Sequence, residues 1–455
     1  MSMQSHLEHE VVILGAGPAG TALAIGLRRL GTAVTVIDVP RRFRAVEGIS
    51  ERVLGGLRAA GIEQALAAVA EPSPRRVRWD GEDSAANTER LVDRARFDAL
   101  LRRDLEAHGI EVIDARVLGC TRAGARHRIE IEPVGASGEA VALHADFLAE
   151  ARGRAAPLPT RARVRGTETV SLLQHWRGAP CVAGSAVESL PDGWAWMAAM
   201  PDGMRYLQLT LDVASTHLPP KAALADYCAE RFRQIASARS FIAEAEALGP
   251  PTARTSTPVL VESVCGADWI RVGDAAMAAD PLSGNGIFQA LSSALQAPAV
   301  IRTLRQRPQD AELAIAFHHQ RITSLFFRFA RIGRDFYAQA REWADQPFWA
   351  TRRDWPDALP LHRAFTPDEV RIEQRPVIRD GWIEAARVVV TPDQPLGVWH
   401  VDGYEAATML EVASTAARGT ASPEAVLAAL AAHAGGSLPR ARAMLDWMRA
   451  QGWIS

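Results

Sequence analysis

The feature that most restricts how this chain can fold lies near its N-terminus, where residues 10–38 read EVVILGAGPAGTALAIGLRRLGTAVTVID. Val11, Val12, Ile13 and Leu14 form an apolar run without polar alternation, as a parallel strand covered on both faces requires. Gly15, Gly17 and Gly20 follow in G-x-G-x-x-G spacing, with Ala16, Pro18 and Ala19 between them. The three glycines serve different purposes, namely a tight turn, a close backbone approach to pyrophosphate, and helix-on-strand packing. The helix that begins here presents unpaired N–H groups and its positive dipole end to phosphate. A second apolar stretch, residues 33–37, ends in Asp38, where an acidic side chain can take the ribose hydroxyls of an adenosine. Strand, glycine turn, helix, strand and acid together imply a dinucleotide-binding domain, although the pattern alone does not separate FAD from NAD.

The rest of the composition narrows the setting. A chain of 455 residues is too long for one core, so at least two domains are expected. A formal charge of -2 disfavours a nucleic-acid partner or a polybasic membrane anchor. Cys120, Cys181, Cys228 and Cys265 are far apart, which suggests neither a metal site nor a disulfide framework. Residues 1–10 are polar, and no apolar run approaches the roughly 18 residues of a membrane helix. The expectation is a cytoplasmic protein without a membrane segment.

A second half-site lies far along the chain. Residues 270–289, IRVGDAAMAADPLSGNGIFQ, resemble the GD box and following loop of flavin monooxygenases, halogenases and geranylgeranyl-reductase-like proteins. The resemblance implies FAD. Asp274, beside Gly273, would hold the ribitol or ribose, and the loop Pro281, Gly284, Asn285, Gly286 and Ile287 would lay backbone N–H groups against the ring. Further segments fit the family. Glu47, Gly48, Ile49 and Ser50 resemble its GES-type segment alongside the flavin. Residues 93–98, DRARFD, resemble an element whose arginine, here Arg94, contacts FAD, and Val117 falls where the family backbone meets adenine. Residues 150–154, EARGR, resemble its DATGR-type motif, with Glu150 replacing the usual aspartate. The resemblance spans roughly residues 8–345.

The implied fold class is α/β. A Rossmann-like FAD-binding domain over 8–160 and 265–345 is interleaved with an antiparallel-sheet substrate domain over 161–264. A proline- and arginine-rich linker over 346–375 precedes a small winged-helix-like α+β domain over 376–455. In the middle region Gly193, Trp194, Ala195 and Trp196 resemble a halogenase GWxW motif. Trp194 and Trp196 share one face of a strand, so they line an aromatic-substrate pocket or belong to the sheet core. In the C-terminal domain, strands are expected near 382–390 and 397–401 and helices near 404–415, 422–434 and 438–451. Acids outnumber arginines there, which disfavours DNA binding and leaves peptide docking or a structural appendage.

For the reaction, the resemblance implies a monooxygenase. Reduced flavin and O2 would give a C4a-hydroperoxide that hydroxylates an electron-rich aromatic carbon. The protein would supply orientation, a dry pocket and a base. Asp280, just before the flavin loop, and His175, on the substrate sheet, are the candidate bases; a turn cap and a structural histidine are the respective alternatives. A halogenase of this family needs a lysine just after the GES-type segment. The single lysine of this chain is Lys221, and a guanidinium cannot replace an amine nucleophile. A flavin-bearing sensor or peptide-binding adaptor without turnover is a third reading, opposed by the intact flavin loop. More narrowly, residues 273–298, the long helical stretch after them and the C-terminal domain resemble the flavoproteins of the quinohemoprotein amine dehydrogenase maturation system. Those proteins dihydroxylate a peptidyl tryptophan on the way to cysteine tryptophylquinone. That resemblance implies a crosslinked precursor subunit as substrate and its radical SAM maturase as a partner. A small-molecule indole or phenol hydroxylase is the alternative. With no nicotinamide domain apparent, reducing electrons would come from transiently docked NAD(P)H or another source.

Overall fold

The structure is a computed structural model that describes residues 8–41, 43–135, 140–158, 163–284, 286–419 and 422–454. It divides into two compact units, Met1–Pro298 with Leu325–Leu359, and Ala299–Ser324 with Pro360–Ser455. Among the described residues no helix is long and apolar enough to cross a membrane.

The first unit is built on two sheets. In one, parallel strands stand in the order Glu111–Ala123, Val34–Asp38, Glu8–Leu14, Val141–Glu150 and Trp269–Arg271. Strand Arg126–Pro133 pairs antiparallel with the outer parts of the first and fourth. Val11 through Leu14 are fully buried, as the unbroken apolar run requires. Helix Pro18–Arg29 begins directly at the carboxyl end of the central strand. Helix Arg94–Ala107 is capped by Asp93, which accepts from the Ala95 and Arg96 N–H groups.

The other sheet has eight strands: Glu246–Thr255, Thr169–Arg177, Met204–Asp212, Gly193–Ala199, Gly184–Leu190, Val69–Trp79, Glu82–Asp93 and Val46–Ile49. Its pairings are antiparallel except where Gly184–Leu190 meets Val69–Trp79. The last three strands come from a segment that sequence patterning alone places wholly in the flavin domain. They join through a hairpin whose turn residues, Asp80 and Gly81, have φ of 54° and 75°, the left-handed pair that a two-residue hairpin demands. One face of the sheet, through Ala195, Met197, Leu207 and Leu209, packs with Cys228 and Phe232 of helix Leu224–Gln234. The opposite face carries His175, Trp194, Trp196, Tyr206 and Gln208 in adjoining rows.

A buried ion pair ties this sheet to the segment after the long helix. Arg352 donates to Asp212 at 2.9 Å and to the Thr169 hydroxyl at 2.9 Å, and both charged residues are buried. Burial alone would raise the Asp212 pKa, but hydrogen bonds from Ser215 and Arg352 outweigh it and hold the carboxyl below its usual range. Its stabilising contribution is therefore present above the unfolded carboxyl pKa and is lost as pH falls through the lower folded value. Arg352→Ala leaves Asp212 charged and unpaired, and is expected to lower the unfolding free energy by about 3–5 kcal/mol in urea titrations at neutral pH.

In the second unit, Arg371–Arg379 and Trp382–Val390 form a hairpin, followed by helices Ala406–Gly419, Pro423–His433 and Leu438–Ala450. Val389, Met409, Leu410, Leu430, Met444, Leu445, Met448 and Trp453 make its core. Arg302 and Arg307 stack on the Trp382 ring at 3.8 and 3.9 Å, and the Ile383 N–H donates to the Thr303 hydroxyl. The expected linker over 346–375 carries structure of its own. It includes helix Pro347–Ala350, a single 3-10 turn at Pro367–Glu369 and the start of the hairpin at Arg371. Phe348 and Trp349, fully buried beside Trp194 and Tyr337, anchor its first part despite the proline density.

Candidate active site

The three glycines of the N-terminal turn are required for different reasons. Gly15 has φ of 104°, and a Cβ there would stand 2.8 Å from the Ala151 carbonyl oxygen. A Cβ on Gly20 would stand 1.9 Å from the Gly15 carbonyl oxygen, so helix and turn touch backbone to backbone. A Cβ on Gly17 would meet no atom of the described residues within 4 Å. Among the described residues nothing demands glycine at 17, whereas a phosphate approaching the N-terminus of helix Pro18–Arg29 would. Ala16, Pro18 and Ala19 are wholly or largely buried in this turn, and the Ala16 N–H donates to Asp38 at 3.0 Å. Burial raises the Asp38 pKa, against the pull of that N–H and of Arg102, 4.0 Å away.

The distant second half-site meets the first. Gly273 has φ of 60°, and a Cβ on it would lie 2.8 Å from the Ala19 Cβ in the first helix. The Ala151 N–H donates to Leu14 O, and Gly153 approaches the side chain of Asp274. Arg154 holds this junction by donating to the carbonyls of Thr257 and Ala279 at 2.8 Å each, with its Nε 3.5 Å from Asp274. Burial raises the Asp274 pKa, and Arg154 opposes the rise. Glu150, the departure from the family pattern, binds the N–H and guanidinium of Arg152.

Gly48 lies in strand Val46–Ile49, where a Cβ would collide with the Glu89 carboxylate. Arg94 is buried between Glu47 and Asp98; burial would lower its pKa, but the two carboxylates outweigh that and keep it charged. Val117 is half-buried beside the cluster containing Leu14 and Ile37, near the ends of the parallel strands. Residues Pro281–Ser283 form a 3-10 turn, Gly284 has φ of 62°, and helix Gly286–Gln306 starts with Ile287 buried. Asn285 lies outside the described residues.

Asp280 caps that turn, accepting from the Leu282 N–H at 2.9 Å. The Tyr337 hydroxyl donates to it as well, at 3.0 and 2.9 Å from its two oxygens. Burial raises the Asp280 pKa, countered by these two hydrogen bonds and by the positive charges of Arg352 and Arg154. Tyr337 packs with Trp194, Phe348 and Trp349, and Leu282 lies against the same cluster. Trp194 is buried within this cluster, whereas Trp196 is only partly buried. His175 shares their sheet face, with Nε2 3.2 Å from the Arg44 carbonyl and its ring edge-on to Tyr206; burial lowers its pKa. Lys221 stands exposed at the turn before helix Leu224–Gln234, which covers the opposite face of that sheet. Tyr337 is the residue that sequence patterning alone misses, since an aromatic on a long helix reads as packing.

These residues fit FAD. A glycine turn with open space at Gly17, an acid at the second strand end and a glycine-bounded loop at a long helix N-terminus meet in one place. Residues 8–205 match the family model described as FAD binding domain. The tryptophan 2-halogenase of Chondromyces crocatus is 25% identical over 77% of this chain and 72% of its own length. The solved structure of the flavin-dependent halogenase CmlS covers 95% of this chain and 93% of its own, at 17% identity and a TM-score of 0.74. The solved structure of the peptidyl tryptophan dihydroxylase QhpG, essential for tryptophylquinone cofactor biogenesis, is 52% identical, with a TM-score of 0.84, over 98% of this chain and 100% of its own. The chain belongs to the QhpG family of FAD-dependent monooxygenases. The likeness to CmlS shows the shared fold, and the FAD binding domain match assigns FAD as the cofactor.

Proposed function

We propose that this protein hydroxylates a tryptophan side chain held within a peptide, with FAD as cofactor and O2 as co-substrate, during tryptophylquinone biogenesis. The observation that carries the reading is the 52% identity to QhpG along essentially the whole of both chains, residues 360–455 included. Two residue-level features support it. The sole lysine lies on the far side of the substrate sheet, which removes the amine that halogenation needs. Trp196 and His175 stand on the sheet face shared with Trp194, which belongs to the buried cluster that Leu282 packs against.

Bound FAD supplies the redox chemistry that activates oxygen. In our reading Gly15, Ala16, Gly17, Pro18, Ala19 and Gly20 receive its pyrophosphate, Asp38 its adenosine ribose, and Val117 its adenine. Asp274, with Gly273 beside it, holds the ribitol or ribose, Arg94 contacts FAD, and Gly48 runs alongside the flavin. Pro281, Gly284, Gly286 and Ile287 belong to the loop whose backbone lies against the ring, a role also assigned from the sequence to Asn285, outside the described residues. Trp196 is a wall of the indole pocket. An indole carbon is already nucleophilic, so orientation and exclusion of water dominate, and the base needs only to remove the ring proton. Asp280 is our candidate for that proton because its carboxyl is buried, fixed at both oxygens and next to the flavin loop. His175 is a second candidate. The crosslinked precursor subunit is the substrate we infer, its radical SAM maturase a partner, and the second unit the peptide-docking element.

Mass spectrometry of the reduced, FAD-loaded protein in air tests this against crosslinked precursor peptide and, separately, free tryptophan. The expected result is a gain of one or two oxygens on the peptide alone. Oxidation of free tryptophan with the peptide untouched would replace this reading with small-molecule indole hydroxylation.

A further inference from the structure

Strands Thr169–Arg177, Gly193–Ala199 and Met204–Asp212 of the large sheet are buried almost throughout. On the face that carries Trp194 and Tyr206, short of the strand end at Arg177, only three of their described residues are partly exposed: His175, Trp196 and Gln208. The three adjoin. Trp196 stands directly opposite Gln208, and His175, opposite Tyr206, is a diagonal neighbour of Gln208. Trp196 packs partly against two buried clusters. One holds Val46, from the strand that carries Gly48, and the other is the Tyr337 cluster that Leu282 packs against. The opening thus adjoins both clusters to which the segments assigned to the flavin contribute. Gln208 is half satisfied there. Its Nε2 donates to the Thr210 hydroxyl at 3.3 Å, while among the described residues no group donates to its Oε1. Thr210 is fully buried and bonded to Ser171 at 3.2 Å, so the nitrogen end is anchored. Gln174, on the opposite face of the same sheet, is paired at both ends. Its Nε2 donates to the Ala225 carbonyl and its Oε1 accepts the Trp176 indole N–H at 3.2 Å.

We propose that Gln208 is a substrate-recognition residue whose Oε1 accepts the indole N–H of the substrate tryptophan while the ring lies against Trp196. An indole nitrogen only donates, and burying it without an acceptor is costly. Gln208 offers a partly exposed acceptor opposite the aromatic wall, with its other end held. The pairing is the one that Gln174 and Trp176 already make on the far face. His175 is the other polar group at the opening, but its Nε2 lies 3.2 Å from the Arg44 carbonyl oxygen and its ring is edge-on to Tyr206, diagonal to this spot. The inference rests on the indole-hydroxylase reading and deepens it, because position 208 belongs to none of the flavin motifs.

The test measures binding by calorimetry to the full-length, FAD-loaded protein in its oxidised form, so that no turnover intervenes. Two ligands are compared: the crosslinked precursor peptide, and the same peptide with benzothienylalanine in place of tryptophan. That ring keeps the shape of indole and carries sulfur where indole has N–H. The parent is expected to bind the tryptophan peptide about tenfold more tightly, because a site built around an N–H rejects the analogue that lacks it. Gln208→Leu should weaken the tryptophan peptide about tenfold and leave the sulfur analogue within about threefold of the parent, so the preference disappears. A variant that keeps the parent's preference, or weakens both ligands equally, would overturn the proposal. Should the leucine variant not fold, Gln208→Met keeps chain length without the amide and is read in the same way. If the parent instead binds and oxidises free tryptophan, the peptide reading fails, and the same comparison with free tryptophan and free benzothienylalanine decides the role of Gln208. A parent that binds indole on neither carrier refutes the function and this inference together.

Discussion

Gly17→Val is expected to abolish FAD binding, raising the dissociation constant at least about 100-fold, while leaving the apoprotein folded with its melting temperature unchanged. The backbone at Gly17 has φ -70° and ψ -179°, which any residue adopts, and an added Cβ meets no atom of the described residues within 4 Å. The side chain would instead occupy the path of a pyrophosphate to the N-terminus of helix Pro18–Arg29, removing contacts each worth on the order of 1–3 kcal/mol. Gly20→Val is the contrasting variant. Its Cβ would stand 1.9 Å from a backbone oxygen, so it should fail to fold at all. Flavin fluorescence titration and calorimetry on both separate a ligand-reserved glycine from a packing-reserved one. A Gly17→Val protein that still binds FAD tightly would remove this turn from the cofactor site.

Asp280→Asn is expected to slow peptide hydroxylation by about 10²–10⁴-fold while FAD stays bound, the range for loss of a general base. Tyr337→Phe tests the same carboxyl more gently, because it keeps the ring among Trp194, Phe348 and Trp349 and deletes only the hydroxyl. A hydroxyl donating to a carboxylate favours its charged form. Removing it raises the Asp280 pKa, so the acid limb of the rate–pH profile should move to higher pH by about one unit. The charges facing this carboxyl in the parent, Arg352 and Arg154, remain in the variant, so the shift reports the lost hydrogen bond alone. A profile that slows uniformly without moving would mean that Asp280 serves only to cap the flavin loop.

The parallel sheet and its glycine turn were legible because their signals are local. An apolar run, three glycines and an acid lie within one β-α-β stretch, and the second half-site is equally compact. The strand Trp382–Val390 and helix Leu438–Ala450 were also readable from their patterning. Other parts were hidden for physical reasons. Strand Arg371–Arg379 buries only Val377, so its alternation is faint; the Asp380–Gly381 dipeptide, with φ of 50° and 77°, was the signal that marks its hairpin. Asp80–Gly81 announces the hairpin that carries Val69–Asp93 into the large sheet in the same way. The pairing of Tyr337 with Asp280 joins positions 57 apart in sequence. No spacing rule connects them, because the intervening helix and turn decide where each arrives.

The contact between Gly273 and Ala19 bears on how the protein is made. The two residues are separated by roughly 250 positions, and contacts of such long range are slow to form. A ribosome will have exposed the complete glycine turn long before it releases the other half of the cradle. Cofactor capture then waits until the chain has grown past the helix start at Gly286. Starving cells of riboflavin should leave a full-length apoprotein pool that later FAD can rescue, and a polypeptide halted near residue 260 should retain no flavin at all.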